Sequence, residues 1–166
     1  WAHALHTAQS ARHIAEACGY AHPDEAYLAG LFHDIGILAL ATDLPYTYAD
    51  IFRTVRDEAG LVEAELDHLQ TSHMEVGAAM MGRLGMPAQI CDAILLQHAG
   101  YEELAGTHKL VRILWIAETL AGGGTAHGDL KPYAGLIDID AERLERAIRA
   151  ADTAFEQCVA ALKLPA

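Results

Sequence analysis

"AYLAGLFHDIGILAL", residues 26–40, is apolar from end to end except where His33 and Asp34 stand side by side at its centre. A segment of this composition belongs in a protein interior, where an unpaired carboxylate costs several kcal/mol or shifts its pKa until it protonates. Its flanks read as helix. "HPDEAYLAGLFHDIGILALA" opens with Pro23 and two acids, the composition that a helix N-terminus prefers. One helix is expected from Pro23 onward, weakened or kinked at Gly36 just after the His-Asp pair.

Outward from this stretch every periodic segment has helical spacing, and none alternates as a strand does. Trp1 to Cys18 reads as a helix stopped by Gly19. Tyr46 to Ala59 reads as a second, stopped by Gly60, and Leu61 to Leu69 as a third. Thr71 or Ser72 can cap a helix running to about Gly85. Pro87 starts the next, which carries Ile90, Ile94 and Leu95 towards His98. "HKLVRILWIAETLA" is followed by three glycines, and residues 122–139 read as an irregular, mobile connection. The last helix is amphipathic on Leu144, Ile148, Phe155 and Val159. The fold class is all-α, a helical bundle.

The chain of 166 residues fits one domain, 1–166, by the usual ~100–200 residues per domain. No initiator Met precedes Trp1, which reads as a cut inside a longer protein. A net charge of −12 opposes non-specific nucleic-acid binding, which needs Lys and Arg on phosphates, and equally opposes anionic membrane surfaces. No apolar run reaches the ~18–20 residues of a membrane helix. Cys18, Cys91 and Cys158 are odd in number and form no CxxC pair, which suits a reducing cytoplasm and core packing. The ten histidines are the compositional oddity.

A divalent cation would remove the cost of burying Asp34 by binding imidazole and carboxylate together. The alternative is that Asp34 accepts from a helix terminus beside a satisfied core His33. Glu118 bears on the choice, because it shares a helix face with Val111, Leu114 and Ala121 and that face should be core. Two inward carboxylates would repel or share a proton without a cation between them. The competing reading has Glu118 paired with Arg112 or Lys109 at a helix edge.

"WAHALHTAQSARHIAEACG", "EAYLAGLFHDIGILAL", "SHMEVGAAMMGRLGMPAQICDAILLQH" and "ILWIAETLA", in this order, resemble the HD superfamily, and more closely its HDOD branch. The resemblance spans roughly Trp1 to Ala121. It implies metal ligands at His3, His33, Asp34 and Glu118, with His6 as a rival to His3. His73 and His98, with Gln97 beside them, fall where some relatives complete a second metal or ligand pocket. His6 and His13 otherwise read as surface or packing residues, and His68, His108 and His127 carry no motif. If the chain is active, Asp34 is the catalytic position, and Lys109 and Arg112 are candidate phosphate contacts. The cofactor implied is a divalent metal (Fe, Mn, Mg or Zn).

Three departures from the family pattern matter. Glu118 stands where Asp is usual, Gln97 replaces one histidine of a pair, and Ala4 replaces the Ser after His3. No GYP motif follows His98, since "QHAGYEEL" continues with Glu102. The resemblance therefore implies a regulatory module of bacterial signal transduction, with protein partners or a nucleotide ligand, a vestigial or mononuclear metal site and little hydrolysis. A metal-dependent phosphohydrolase acting on a nucleotide or cyclic dinucleotide is the alternative. The family's N-terminal helical portion is expected to lie outside this sequence.

Overall fold

A computed structural model describes residues 1–121 and 129–162. Among them are ten helices, one 3-10 turn at Tyr101–Leu104 and no strand. The helices are α1 (Ala2–Ala17), α2 (Pro23–Phe32), α3 (Ile35–Asp43), α4 (Pro45–Thr54), α5 (Glu58–Leu69), α6 (His73–Arg83), α7 (Ala88–Leu95), α8 (Lys109–Ala121), α9 (Lys131–Leu136) and α10 (Ala141–Leu162). No single described helix is long and apolar enough to cross a membrane.

The main core forms around α8, whose Leu110, Val111, Ile113, Leu114, Ile116 and Ala117 are all buried. A helix with this much apolar surface must be wrapped by others, and α1, α2 and α7 do the wrapping. Residues of α3, α4 and α5 close a smaller cluster of Leu40, Tyr48, Ile51 and Leu61. On α10, Leu144, Ala147 and Ala151 are the fully buried positions, while Ile148, Phe155 and Val159 of the expected stripe are half-buried.

Three boundaries differ from expectation. The helix expected from Pro23 is broken at His33–Asp34 itself, ahead of Gly36. His33 Nδ1–H donates to the Gly30 carbonyl at 2.7 Å, and Asp34 sits at φ −96°, ψ 11°, between two helices. His33 and Asp34 therefore project from a junction instead of a continuous helix. The second correction concerns Gly60, which lies inside α5. The break falls earlier, where Val55 is extended and the Asp57 side chain accepts from Gly60 N at 2.9 Å to start α5. The third is that part of the connection expected to be irregular is helical, because α9 occupies Lys131–Leu136. Residues 122–128, where the mobile segment was expected, lie outside the described residues, as does His127.

Glycines let two pairs of helices, α1 with α2 and α3 with α6, meet at backbone distance. A Cβ on Gly30 would fall 2.7 Å from Ala8 Cα, and one on Gly36 would fall 1.9 Å from the His73 carbonyl oxygen. The second contact seats the His-Asp junction against the start of α6. That start is itself held by a capping box, Ser72 accepting from Glu75 N while Glu75 accepts from Ser72 N. Ser72→Ala is expected to cost about 1 kcal/mol in urea unfolding, and less than a few tenths would mean that the cap contributes nothing.

Candidate metal centre

The α1 helix carries His3 and Thr7 on one face, four residues apart, towards Glu118 of α8. The α2–α3 junction brings His33 and Asp34 to the same place. His33 Nε2 lies 3.2 Å from His3 Nε2, 3.2 Å from Asp34 Oδ2 and 3.1 Å from Glu118 Oε2. His3 Nε2 lies 3.0 Å from Glu118 Oε1 and 4.0 Å from Asp34 Oδ2. Thr7 donates to Glu118 Oε2 at 3.1 Å. His33 and Glu118 are buried, whereas Asp34 and His3 keep part of their surface towards solvent.

The candidate ligands thus converge from three parts of the chain. One ligand atom each from His3, His33 and Glu118 falls within 4.8 Å of the others. The competing pairing of Glu118 with Arg112 or Lys109 is absent, and the extra methylene of Glu118 leaves it within reach of both imidazoles. Asp34 accepts nothing from the N-terminus of α3, and its Oδ1 is buried without a partner. The structural-acceptor alternative therefore lacks its hydrogen bonds. Two imidazoles and two carboxylates, one of them with an unpartnered oxygen, are a donor set that fits Mn, Fe or Zn.

The repulsion expected between the carboxylates is offset by the imidazoles between them. Burial alone would lower the His33 pKa, but its hydrogen bonds and charge interactions with Asp34 and Glu118 push it up to about 10. The hydrogen bond to Glu118 raises His3 against its burial. Burial raises Glu118 in turn, yet His3 and His33 outweigh it and hold the carboxyl well below its usual range. Asp34 is lowered by His33 against the same penalty. A proton on His33 thus offsets part of the charge that a divalent cation would neutralise.

Beside this centre a cavity of about 600 Å³ is lined by Glu58, Met74, Gln97, His98, Trp115 and Glu118, among others. Glu118 belongs to both. His98 faces the cavity, with Glu58 Oε1 3.1 Å from its Nε2 but out of line for a hydrogen bond. His73 is not among the lining residues. It packs edge-on against His98, ring centroids 5.6 Å apart, with its Nε2 buried and unpartnered. Gln97 Nε2 donates to the His33 carbonyl at 3.2 Å, so the amide supports the His-Asp junction from behind.

The candidate phosphate contacts, Lys109 and Arg112, hold other partners in this structure. Lys109 Nζ donates to the Cys18 carbonyl at 3.0 Å and Arg112 to the Leu136 carbonyl at 2.8 Å, so both cations are spent on carbonyls at chain ends of other helices. Among the described residues, none that lines the cavity is a lysine or arginine. His6 pairs with Asp152 at 2.8 Å and His13 with the Gln9 carbonyl, which leaves His3 as the α1 histidine at the centre.

Sequence reasoning missed Thr7, Tyr48 and Glu65. Glu65 is fully buried and accepts from the His73 backbone N at 2.9 Å, from His73 Nδ1 at 2.8 Å and from the Tyr48 hydroxyl. Burial would raise Glu65, but these donors outweigh it and keep it ionised. Nothing in the polar run "EAELDHLQ" distinguishes Glu65 from its solvated neighbours.

The HDOD domain family model matches residues 1–100. The chain belongs to the HDOD family. Three solved structures share its fold. MmoQ response regulator from Methylococcus capsulatus str. Bath is 26% identical with a TM-score of 0.76, over 89% of this chain and 60% of that one. A candidate phosphohydrolase from Shewanella amazonensis SB2B is 23% identical with a TM-score of 0.72, over 92% of this HDOD chain and 62% of that one. An HDOD domain protein of unknown function from Geobacter sulfurreducens is 24% identical with a TM-score of 0.65, over 96% and 60%. The chain therefore spans about three fifths of the length of each. No curated protein matches the sequence.

Proposed function

We infer that this HDOD chain is a regulatory module of bacterial signal transduction, acting in the cytoplasm through protein partners. It would hold one divalent metal on His3, His33, Asp34 and Glu118 and turn over little or no phosphoester. The observation that supports the metal site is the convergence of ligand atoms of His3, His33 and Glu118, with Asp34 Oδ2 3.2 Å from His33 Nε2. Likeness to a protein named as a response regulator supports the signalling role.

A bound divalent cation would supply Lewis acidity, polarising a phosphate oxygen and acidifying a coordinated water. The chain's own residues prepare for a cation and not for its substrate. Gly30 fixes the His33 tautomer, Thr7 orients Glu118, and His3 keeps one side open to solvent. A polyphosphate is normally gripped by Lys or Arg forks, and the described residues of the cavity include neither. The phosphohydrolase reading keeps one support, likeness to a candidate phosphohydrolase, which at this identity extends to the fold.

The test pairs metal analysis of purified protein with a hydrolysis screen. The screen would use phosphomonoesters and cyclic dinucleotides with added Mn²⁺, Fe²⁺, Mg²⁺ or Zn²⁺. About one metal per chain and no sustained turnover are expected. Robust metal-stimulated hydrolysis that disappears in Asp34→Ala would establish the enzyme reading instead.

A further inference from the structure

The cavity beside the metal centre is rich in acceptors and short of donors. At about 600 Å³ it falls in the range that small organic ligands occupy. Val62 of α5, Met74 of α6 and Trp115 of α8 give it apolar and aromatic walls. Trp115 is held in place, since its Nε1–H donates to the Ala99 carbonyl at 2.8 Å. Tyr133 stacks on it, ring centroids 6.0 Å apart. Thr119, which also lines the cavity, donates to the Trp115 carbonyl at 2.8 Å. Neither residue has a donor left for a ligand.

The remaining polar groups accept. Gln97 is 1% exposed, and its Nε2 is committed to the His33 carbonyl at 3.2 Å. That bond fixes the amide the other way round at Oε1, which is buried without a donor. A buried acceptor left unmatched is costly, and an apolar side chain at this lining position would avoid the cost. Glu58 adds a carboxylate, its Oε1 3.1 Å from His98 Nε2 but out of line for a hydrogen bond, so it keeps its capacity to accept. Among the described lining residues no lysine or arginine offsets it. A divalent ion on the centre would cancel the charges of Asp34 and Glu118 and leave that of Glu58. The net charge of −12 on the chain acts in the same direction. A phosphate or carboxylate would meet only acceptors here, whereas an N–H-bearing cation would meet its complements.

We propose that this cavity binds a small organic cation, an amidinium or ammonium on an apolar body, with its N–H groups on Gln97 Oε1 and Glu58 and its body against Trp115. This deepens the regulatory reading above and rests on it, naming the class of ligand that such a module would sense.

The experiment titrates the full 166-residue chain by calorimetry with four compounds built on one ring. They are benzamidine, neutral benzamide, anionic benzoate, and phenyltrimethylammonium, which is cationic but has no N–H. In chelator, benzamidine should bind at least about tenfold more tightly than any of the other three. Glu58→Gln, at a half-exposed position, should weaken benzamidine by about tenfold. Gln97→Met should bring benzamidine down to the level of phenyltrimethylammonium. Excess Mn²⁺ should leave benzamidine binding nearly unchanged. Displacement by Mn²⁺ would place the cation on the metal centre instead and overturn the proposal. No binding of benzamidine, equal binding of benzamide or benzoate, or parental affinity in Glu58→Gln overturns it too, and each can be read even if Gln97→Met does not fold. A chain that keeps the benzamidine preference yet hydrolyses phosphoesters retains the site and loses the regulatory reading. A chain without turnover and without that preference loses this inference alone.

Discussion

Gly36→Ala should lower the stability of this protein by about 4 kcal/mol, above the ~1–3 kcal/mol of ordinary overpacking. The added methyl would fall 1.9 Å from the His73 carbonyl oxygen and 2.7 Å from its carbon, both backbone atoms that no rotamer change can move. Relief requires separating α3 from the start of α6, which also disturbs the His-Asp junction and the capping box. For a domain of this size the melting temperature should fall by about 10 °C. Gly82→Ala in α6 is the control, since its nearest neighbour would be Cys91 Sγ at 3.9 Å. That variant should be neutral or gain up to ~1 kcal/mol from reduced freedom of the unfolded chain. Equal melting temperatures for the two variants would contradict the close approach of α3 and α6.

Stability should fall with rising pH in chelator, and excess Mn²⁺ should flatten or reverse that fall. In chelator His33 holds its proton up to about pH 10 when folded, against an ordinary value of 6.5. That contribution is complete below pH 6.5 and is lost as pH rises towards 10, a decline of a few kcal/mol in all. Metal requires the imidazoles neutral, so its apparent affinity should rise through the same window by up to about tenfold per unit for each proton displaced. Metal at about 1,000 times Kd adds roughly 4 kcal/mol, and less at lower pH. Melting curves at pH 6.5 and 8.5 should therefore slope downward in chelator and flatten or reverse with Mn²⁺. His33→Gln should remove both trends, and Asp34→Asn should remove most of the metal response. Parallel slopes in the two conditions would mean that His33 and the metal do not compete for one site.

Helical periodicity made the bundle legible, and one anomaly within it led to the site. Glu118 stands on a stripe of Val111, Leu114 and Ala121, and a carboxylate there called for a partner inside. His33 and Asp34 were conspicuous for the same reason. His3 carries no such local signal; only its resemblance to a family motif singled it out. The break at His33–Asp34 depends on a side-chain bond to Gly30 and on contact with His73, far along the chain, so a local reading shifted it to Gly36. Glu65 escaped because its donors come from α4 and α6, and a polar neighbourhood of Glu63, Asp67 and His68 describes a wet face equally well. Lys109 and Arg112 share a helix with Glu118, but helix position does not say where a long side chain ends. Their head groups reach carbonyls of Cys18 and Leu136.

The span of chain enclosed by the four candidate ligands has a kinetic meaning. His3 and His33 are 30 residues apart, and His3 and Glu118 are 115 apart. Contacts of such separation close late, after the helices and their nearer neighbours have docked, because loop-closure entropy must be met first. An ion bridging them finds no assembled seat in the collapsing chain. Its grip is felt when the finished fold tries to open, so occupancy should lengthen the lifetime of the native state while leaving the folding rate nearly untouched. The centre works as a clasp on a closed book, fastened after the pages are in order.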